Sequence, residues 1–309
     1  MADRDLSRVA RLYYEHGLTQ GEIATVMGLS RVKVTRMLAE ARRTGIVEIR
    51  IHGDSHAFVE LESQLIRKFG LINAWVVPST QDVDRQFELL GIGGAHALEE
   101  LVAPGSTVAV GLSRAVSSIP RALGSARQVD ATFVPIVGSR AGVDGINAHE
   151  TCEALARTFG GRAHHLPAPV MTRSADLAAV LRKEPNIKHA LELAEKAELF
   201  VAGIGGSSQE TYLVKHGDIT PTEFSELVAS GAVGDLSGRF FDGEGRPVPS
   251  ALNDRVIALN LEQLSVIPTR VGVVGGAGKR KAARGAIVAG IVNVVVTDVD
   301  TAVWLVAQH

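Results

Sequence analysis

Near the start of the chain, apolar residues recur at helical spacing. Leu6, Val9, Ala10, Tyr13 and Tyr14 predict a first amphipathic helix with this stripe turned inward, and Gly17 stops it. Thr19 followed three residues later by Glu22 predicts a capping box. Ile23, Ala24 and Met27 then face inward on a short second helix. Gly28 supplies the tight turn, with positive φ. Ser30 caps a third helix whose Val34 and Leu38 face back, and Gly45 ends it. Small Ala24, the Gly28 turn and apolar Val34 are what two helices crossing closely at a short turn require. The alternating IVEIRI at 46–51 predicts a small wing or a lead-out strand.

The pattern then changes. HGDSHAF (52–58) is polar and breaks it, and 58–69 predicts a helix. Continuous apolar runs now alternate with helical stretches. Strands are expected at 71–77, 107–111, 132–137, 199–204, 256–259, 271–274 and 292–297. Helices are expected at 86–102, 114–123, 148–159, 173–183, 187–196, 221–230, 279–290 and 299–307. Apolar strands separated by helices predict a mostly parallel sheet covered on both faces. The expected fold class is α/β: an N-terminal helix-turn-helix, winged-helix-like domain (1–52), a linker helix (53–70) and a larger Rossmann-like domain (71–309).

Composition fits this division. A chain of 309 residues, 46% hydrophobic and 21% charged, supports two domains with a large core. The net charge is only −2, but residues 1–52 hold nine Lys/Arg against six Asp/Glu, and the remainder 23 against 28. A basic arm on an acidic body is the asymmetry expected of a DNA-binding module. Cys152 is the single cysteine, so no disulfide or thiolate metal cluster forms within one chain, and a reducing, cytoplasmic setting is expected. The N-terminus has no apolar signal core and no run reaches 18 apolar residues, so no membrane span is expected.

Candidate chemistry follows from placement. The outward face of the third helix carries Arg31, Lys33, Thr35 and Arg36, which predict contacts to base edges and phosphates. Thr19, Gln20 and Ser30 at the helix starts join them as candidate DNA contacts, with Arg42 and Arg43 adding charge near the end. One such module reads a short half-site, so a dimer or higher oligomer is implied.

In parallel sheets ligands bind at the carboxyl ends of strands. Four places qualify. VAVGLSR puts Gly111, Ser113 and Arg114 at a helix start, a phosphate-binding arrangement. VAGIGGSS repeats the logic at Gly203, Gly205, Gly206 and Ser207. VGVVGGAGK ends at Gly275–Gly276 and opens a helix with Lys279. GAVGD places Asp235 on an irregular segment beside FFDGEG, and Arg140 is a further candidate anion contact. A glycine after a strand also serves as plain turn geometry. None of these segments is a dinucleotide fingerprint or the phosphate loop of nucleotidases. His164 and His165 lack partners at metal spacing, so neither metal nor cofactor is expected. Asp298 reads as a helix cap and Cys152 as a buried apolar residue.

With these residues in place, the chain resembles the SorC family of bacterial sugar-responsive transcriptional regulators over nearly its whole length. The resemblance runs through LTQGEIATVMGLSRVKVTRML, VAVGLSRAV, LPAP, FVAGIGG, GAVGDLSGRFFDGEG, the Arg255 segment leading to LEQLSVIP, and VVGGAGKRKAARGAIVAGIVNVVVTD. It implies an effector domain similar to ribose-5-phosphate isomerase, glucosamine-6-phosphate deaminase and CoA transferases. It also implies a phosphorylated sugar or polyol effector, operator DNA as partner, a homodimer or homotetramer, and control of a carbohydrate or polyol catabolic operon without enzymatic turnover. The resemblance carries phosphate binding to the loop Gly111–Arg114 and effector contacts to Asp235 and Lys279. The chain departs from the family at Leu112–Ala115, where Ser113 keeps a hydroxyl but the usual threonine is lost. Two alternatives stay open at this point. One is a sugar-phosphate isomerase or deaminase with an appended DNA-binding module, using Asp235 as base and Lys279 as electrophile. The other is a constitutive DNA-binding protein whose pocket no longer binds ligand.

Overall fold

The computed structural model describes residues 3–14, 16–44, 46, 58–124, 127–140, 146–207 and 212–308, with Asp3, Arg4, Arg42, Arg43 and Tyr212 described by backbone alone. Gly45 and nearly all of the expected wing (46–51) and polar segment (52–58) lie outside the described residues. The chain divides into two compact units, Met1–Gly53 and Asp54–His309.

The first unit is built by caps and an apolar stripe. Helices α1 (Asp3–Tyr14), α2 (Gln20–Met27) and α3 (Arg31–Arg43) close around Leu6, Val9, Ile23, Val34, Met37, Leu38 and Ala41. Thr19 and Glu22 cap α2 reciprocally. Gly28 ends it at φ 63°, ψ 35°, in the left-handed region where a side chain costs free energy, with its amide bonded back to Ala24. Ser30 Oγ accepts the Lys33 amide at 3.2 Å and so caps α3. Tyr14, expected inward, is instead 42% exposed. The inward stripe is already filled by Leu6, Val9 and Ala10, and Tyr14 packs edge-on against Tyr13 outside it.

The second unit centres on a sheet of seven parallel strands among the described residues: β1 (Asn73–Val77), β2 (Thr107–Val110), β3 (Thr132–Pro135), β4 (Arg162–Ala163), β5 (Leu199–Gly206), β8 (Thr269–Val274) and β9 (Val294–Asp298). Their order is β1-β9-β8-β5-β2-β3-β4. Two short strands, β6 (Gly234–Leu236) and β7 (Arg239–Phe241), form a hairpin that pairs antiparallel with the end of β5.

Alternation along the strands feeds two cores. Phe200, Ala202 and Ile204 enter one, while Leu199 and Val201 enter the other. Helices α5 (Val83–Leu101), α6 (Arg114–Ala122) and α7 (Ala148–Phe159) cover the second face. The first is covered by α4 (Val59–Phe69), α9 (Pro185–Glu195), α11 (Pro221–Ala229), α14 (Arg280–Val288) and α15 (Val299–Ala307). The shorter α8 (Ala175–Leu181), α10 (Tyr212–Lys215), α12 (Ala251–Arg255) and α13 (Leu261–Ser265) complete the unit. Among the described residues no helix is long and apolar enough to cross a membrane.

Two expected elements differ. The apolar run 256–259 is not a ladder strand. It makes isolated bridges from Val256 to Met171 and from Ala258 to Val137. Its carbonyls turn instead to the buried Arg239, which donates to Leu259 (3.1 Å), Ala258 (2.7 Å), Val256 (3.3 Å) and Asn253. Asp235 lies on β6 of the hairpin, not on an irregular segment. Ser237 and Gly238 take φ of 51° and 81°, the paired positive values of a two-residue hairpin turn whose twist matches the strands.

Burial among carbonyls, with Arg182 nearby, lowers the Arg239 pKa to about 10, so the guanidinium stays cationic at neutral pH. Arg239→Ala strands several buried carbonyls and is expected to cost about 3 kcal/mol. Calorimetry should show a melting temperature lower by roughly 6–12 °C. A shift under about 2 °C would remove Arg239 as the staple of this segment.

Candidate functional site

In the first unit, Val34, Met37, Leu38 and Ala41 bury one side of α3 and leave Arg31, Lys33, Thr35 and Arg36 exposed. Thr35 Oγ1 donates to Gln20 Oε1 at 2.7 Å and to the Arg31 carbonyl at 3.0 Å. Gln20 at the start of α2 is thereby tied to the outer side of α3. The Thr19 and Ser30 hydroxyls are engaged as caps. The three cations form an exposed basic face on a helix whose start is fixed by these bonds.

In the second unit the strand order reverses direction between β2 and β5. From β2 the chain steps outward to β3 and β4; from β5 it steps the other way to β8 and β9. Loops leaving such a switch point splay apart and open a crevice. Gly111, just after β2, and Gly203, within β5, lie against each other's elements there: a methyl group at Gly111 would stand 2.6 Å from Ala202 Cβ, and one at Gly203 would overlap the Ser113 side chain. Ser113 caps α6 through the Val116 amide (3.1 Å) and sets Arg114 at its first position. From the far side the 3-10 turn 277–279 after β8 delivers Lys279, whose stem lies against Gly206.

The hairpin brings a carboxylate to these loops. Asp235 is paired in register with Gly205, and a side chain at Gly205 would overlap the Asp235 carboxylate. Asp235 Oδ2 accepts the Gly238 amide at 2.9 Å. Burial pushes the Asp235 carboxyl up, against the opposing pull of the Gly238 amide and Lys279. Burial also pulls the Lys279 ammonium down, with Asp235 raising it and Arg114 lowering it further. Ser237, 6% exposed, turns its hydroxyl toward Gly111, and no described group bonds it.

Two residues outside the expected set complete this region. Phe87, on the second turn of α5, has the Arg114 guanidinium 4.4 Å and the Lys279 ammonium 5.2 Å from its ring centre. Arg114 also pairs with Asp84, one turn earlier on α5, in an exposed contact. Such a pair contributes little, so an arriving anion competes for Arg114 at small cost. Two cations converge on one ring; Asp235 and Asp298 both act on Lys279 and Asp84 pairs with Arg114, so an anion with neighbouring hydroxyls would bind here by competing with these carboxylates for the two cations. Arg140 is committed elsewhere: it pairs with Asp218 in a largely buried contact. Asp298 caps α15 at the Thr301 amide and also accepts the Gly276 amide at 2.6 Å, shaping the turn before Lys279. His165 packs edge-on against His149, and no metal-binding cluster occurs among the described residues.

The raised Asp235 pKa fixes a sign. Between the ordinary carboxylate range and the raised value, the folded protein holds a proton that the unfolded chain does not, so stability rises as pH falls through that window. Thermal unfolding of the ligand-free protein, followed as pH falls from neutral toward the ordinary carboxylate range, should therefore favour wild type progressively over Asp235→Asn. A difference constant with pH would contradict the desolvated carboxylate.

This geometry matches known proteins along nearly the whole chain. Residues 54–307 match the family described as "Putative sugar-binding domain". The transcriptional regulator LsrR of Escherichia coli is 36% identical over 308 residues, covering 97% of this chain and 93% of that protein. Among solved structures, the full-length sorbitol operon regulator SorC from Klebsiella pneumoniae superposes with a TM-score of 0.78 at 25% identity, covering 99% of both chains. The domain described as "Putative Sugar-Binding Domain of Transcriptional Repressor" from Vibrio fischeri gives 0.75 at 31% identity, covering 80% of this chain and 97% of that one. The fold and these matches define a sugar-responsive, DNA-binding transcriptional regulator. The chain belongs to the SorC family.

Proposed function

We propose that the exposed face of α3 binds double-stranded operator DNA, and that a phosphorylated sugar or polyol held at the β2/β5 switch point controls that binding. Residues 1–52 act as the DNA-binding domain, 53–70 as the linker helix, and 71–309 as the effector and oligomerisation domain. Arg31, Lys33, Thr35 and Arg36 contact phosphates and base edges, with Thr19, Gln20 and Ser30 at the helix starts. Gly111, Ser113, Arg114 and Lys279 hold the phosphate. Asp235, given room by Gly205, accepts hydrogen bonds from sugar hydroxyls. The protein works in the cytoplasm as a homodimer or homotetramer, presenting paired α3 helices to two half-sites.

The observation that carries this reading is the convergence of Arg114 and Lys279 on Phe87 beside Asp235. A neutral sugar has no use for two cations, whereas a sugar phosphate matches both cations and the carboxylate. The test is thermal unfolding with pairs of sugars and polyols, each with and without phosphate, and with inorganic phosphate alone. A ligand at 100 times its Kd stabilises by about 2.7 kcal/mol. The phosphorylated member of at least one pair should reach this and change operator affinity, its neutral partner should not, and light scattering should give two or four copies. Equal shifts from the neutral partners would overturn the phosphate assignment.

A further inference from the structure

The outward face of α3 carries an apolar residue at its centre. Val34, Met37, Leu38 and Ala41 define the inward side. At 3.6 residues per turn, the direction opposite them falls on Val32, Arg36 and Ala39, which share one stripe and are all exposed. Arg31 and Lys33 lie on either side of Val32. Val32 is 63% exposed and takes no part in the core.

Single exposed apolar residues are ordinary, so exposure alone decides nothing. Position does. Val32 sits in the first turn of the helix, the part that reaches base edges in this kind of motif, and it points farthest from the core. The flanking cations suit the phosphates on either side of a groove. What the stripe centre meets is then the groove floor. Among the groups that bases present in the major groove, the apolar one is the C5-methyl of thymine. A β-branched side chain in a helix is held near one rotamer, and the Ser30 cap and the Gln20–Thr35 bond fix the helix start. The isopropyl group is therefore already ordered before contact.

We infer that Val32 reads the C5-methyl of a thymine in each operator half-site, and so sets base preference at that position. The inference rests on the reading of α3 as the DNA-binding element.

The test is a chemical double-mutant cycle on the full-length protein. Duplexes enriched from a random-sequence pool are remade with each thymine in turn replaced by deoxyuridine, which lacks only the methyl group. Binding of wild type, Val32→Ala and Val32→Thr is measured at fixed salt. At one thymine per half-site, wild type should lose about fourfold in affinity per methyl removed. Val32→Ala should lose nothing further there, and Val32→Thr, which keeps one methyl, should retain part of the effect. If every deoxyuridine costs wild type and Val32→Ala equally, Val32 does not read thymine, although DNA binding stands. If no sequence is enriched and no duplex binds, the DNA-binding reading fails and this inference falls with it. Equal melting temperatures of the three proteins confirm that folding is unchanged.

Discussion

Lys279→Ala is expected to abolish the response to effector while operator binding persists. Lys279 faces Phe87 and Asp235, and its pKa is pulled down by burial. A ligand phosphate supplies the countercharge that burial makes valuable. Truncating one partner of a largely desolvated charge pair costs about 2–5 kcal/mol. Effector affinity should fall by at least 30-fold, which titration calorimetry reads as a micromolar Kd moved to tens of micromolar or weaker. Operator binding, measured by anisotropy without effector, should change by less than twofold, because Lys279 belongs to the second unit and the α3 face to the first. Lys279→Arg keeps the charge but not the compact ammonium, and should retain part of the response. A normal effector response from Lys279→Ala would end the assignment of this site.

Gly205→Ala should have an effect of similar size by another route. The added methyl would overlap the Asp235 carboxylate. The Gly205–Asp235 register is locked by the β5–β6 pairing, so the backbone has little freedom to yield. The carboxylate must therefore swing away, and with it the group assigned to the sugar hydroxyls. Effector binding should be lost, while the unfolding temperature changes modestly because Asp235 is itself a desolvated charge. Gly278→Ala is the matched control. It lies on the neighbouring turn, where an added methyl group meets nothing within 4 Å, and it should respond as wild type. Equal behaviour of the two variants would show that the Asp235 position is immaterial to the effector.

Both variants test one end of a linked equilibrium. A hundredfold change in DNA affinity requires the effector to favour one state by about 2.7 kcal/mol over the other. One lost charge contact accounts for that whole difference, so a single substitution suffices to uncouple the response.

Much of the first unit was legible because its signals are local. The Thr19–Glu22 box, the Gly28 turn and the Ser30 cap each act within four residues, and each occurs where the spacing placed it. Tyr14 departs from its stripe because periodicity marks a face but not how many residues the core has room to bury. In the second unit, the strands leading to Gly111, Gly205 and Gly275 were legible from apolar runs ended by glycine. The 256–259 run was not distinguishable from them. It is equally apolar, and only Arg239, reaching in from the hairpin, claims its carbonyls. The Ser237–Gly238 pair is a turn signal that would have revealed the hairpin and hence the true setting of Asp235.

Phe87 had no such mark, since nothing nearby in the chain distinguishes it from other apolar helix residues. Arg140, a weaker candidate than Arg114 by sequence, is committed to Asp218, a partner far along the chain that no local pattern marks.

The amino-acid order alone settled most of the helices and the principal strands, their caps and which ends carry charge, because capping, turn and periodicity energies depend on residues a few positions apart. The strand sequence across the sheet, the meeting of three loops with a hairpin, and the commitment of each cation to a ring, a carboxylate or an incoming anion were decided by tertiary packing. Those choices depend on burial and on partners distant along the chain, and no local pattern encodes them.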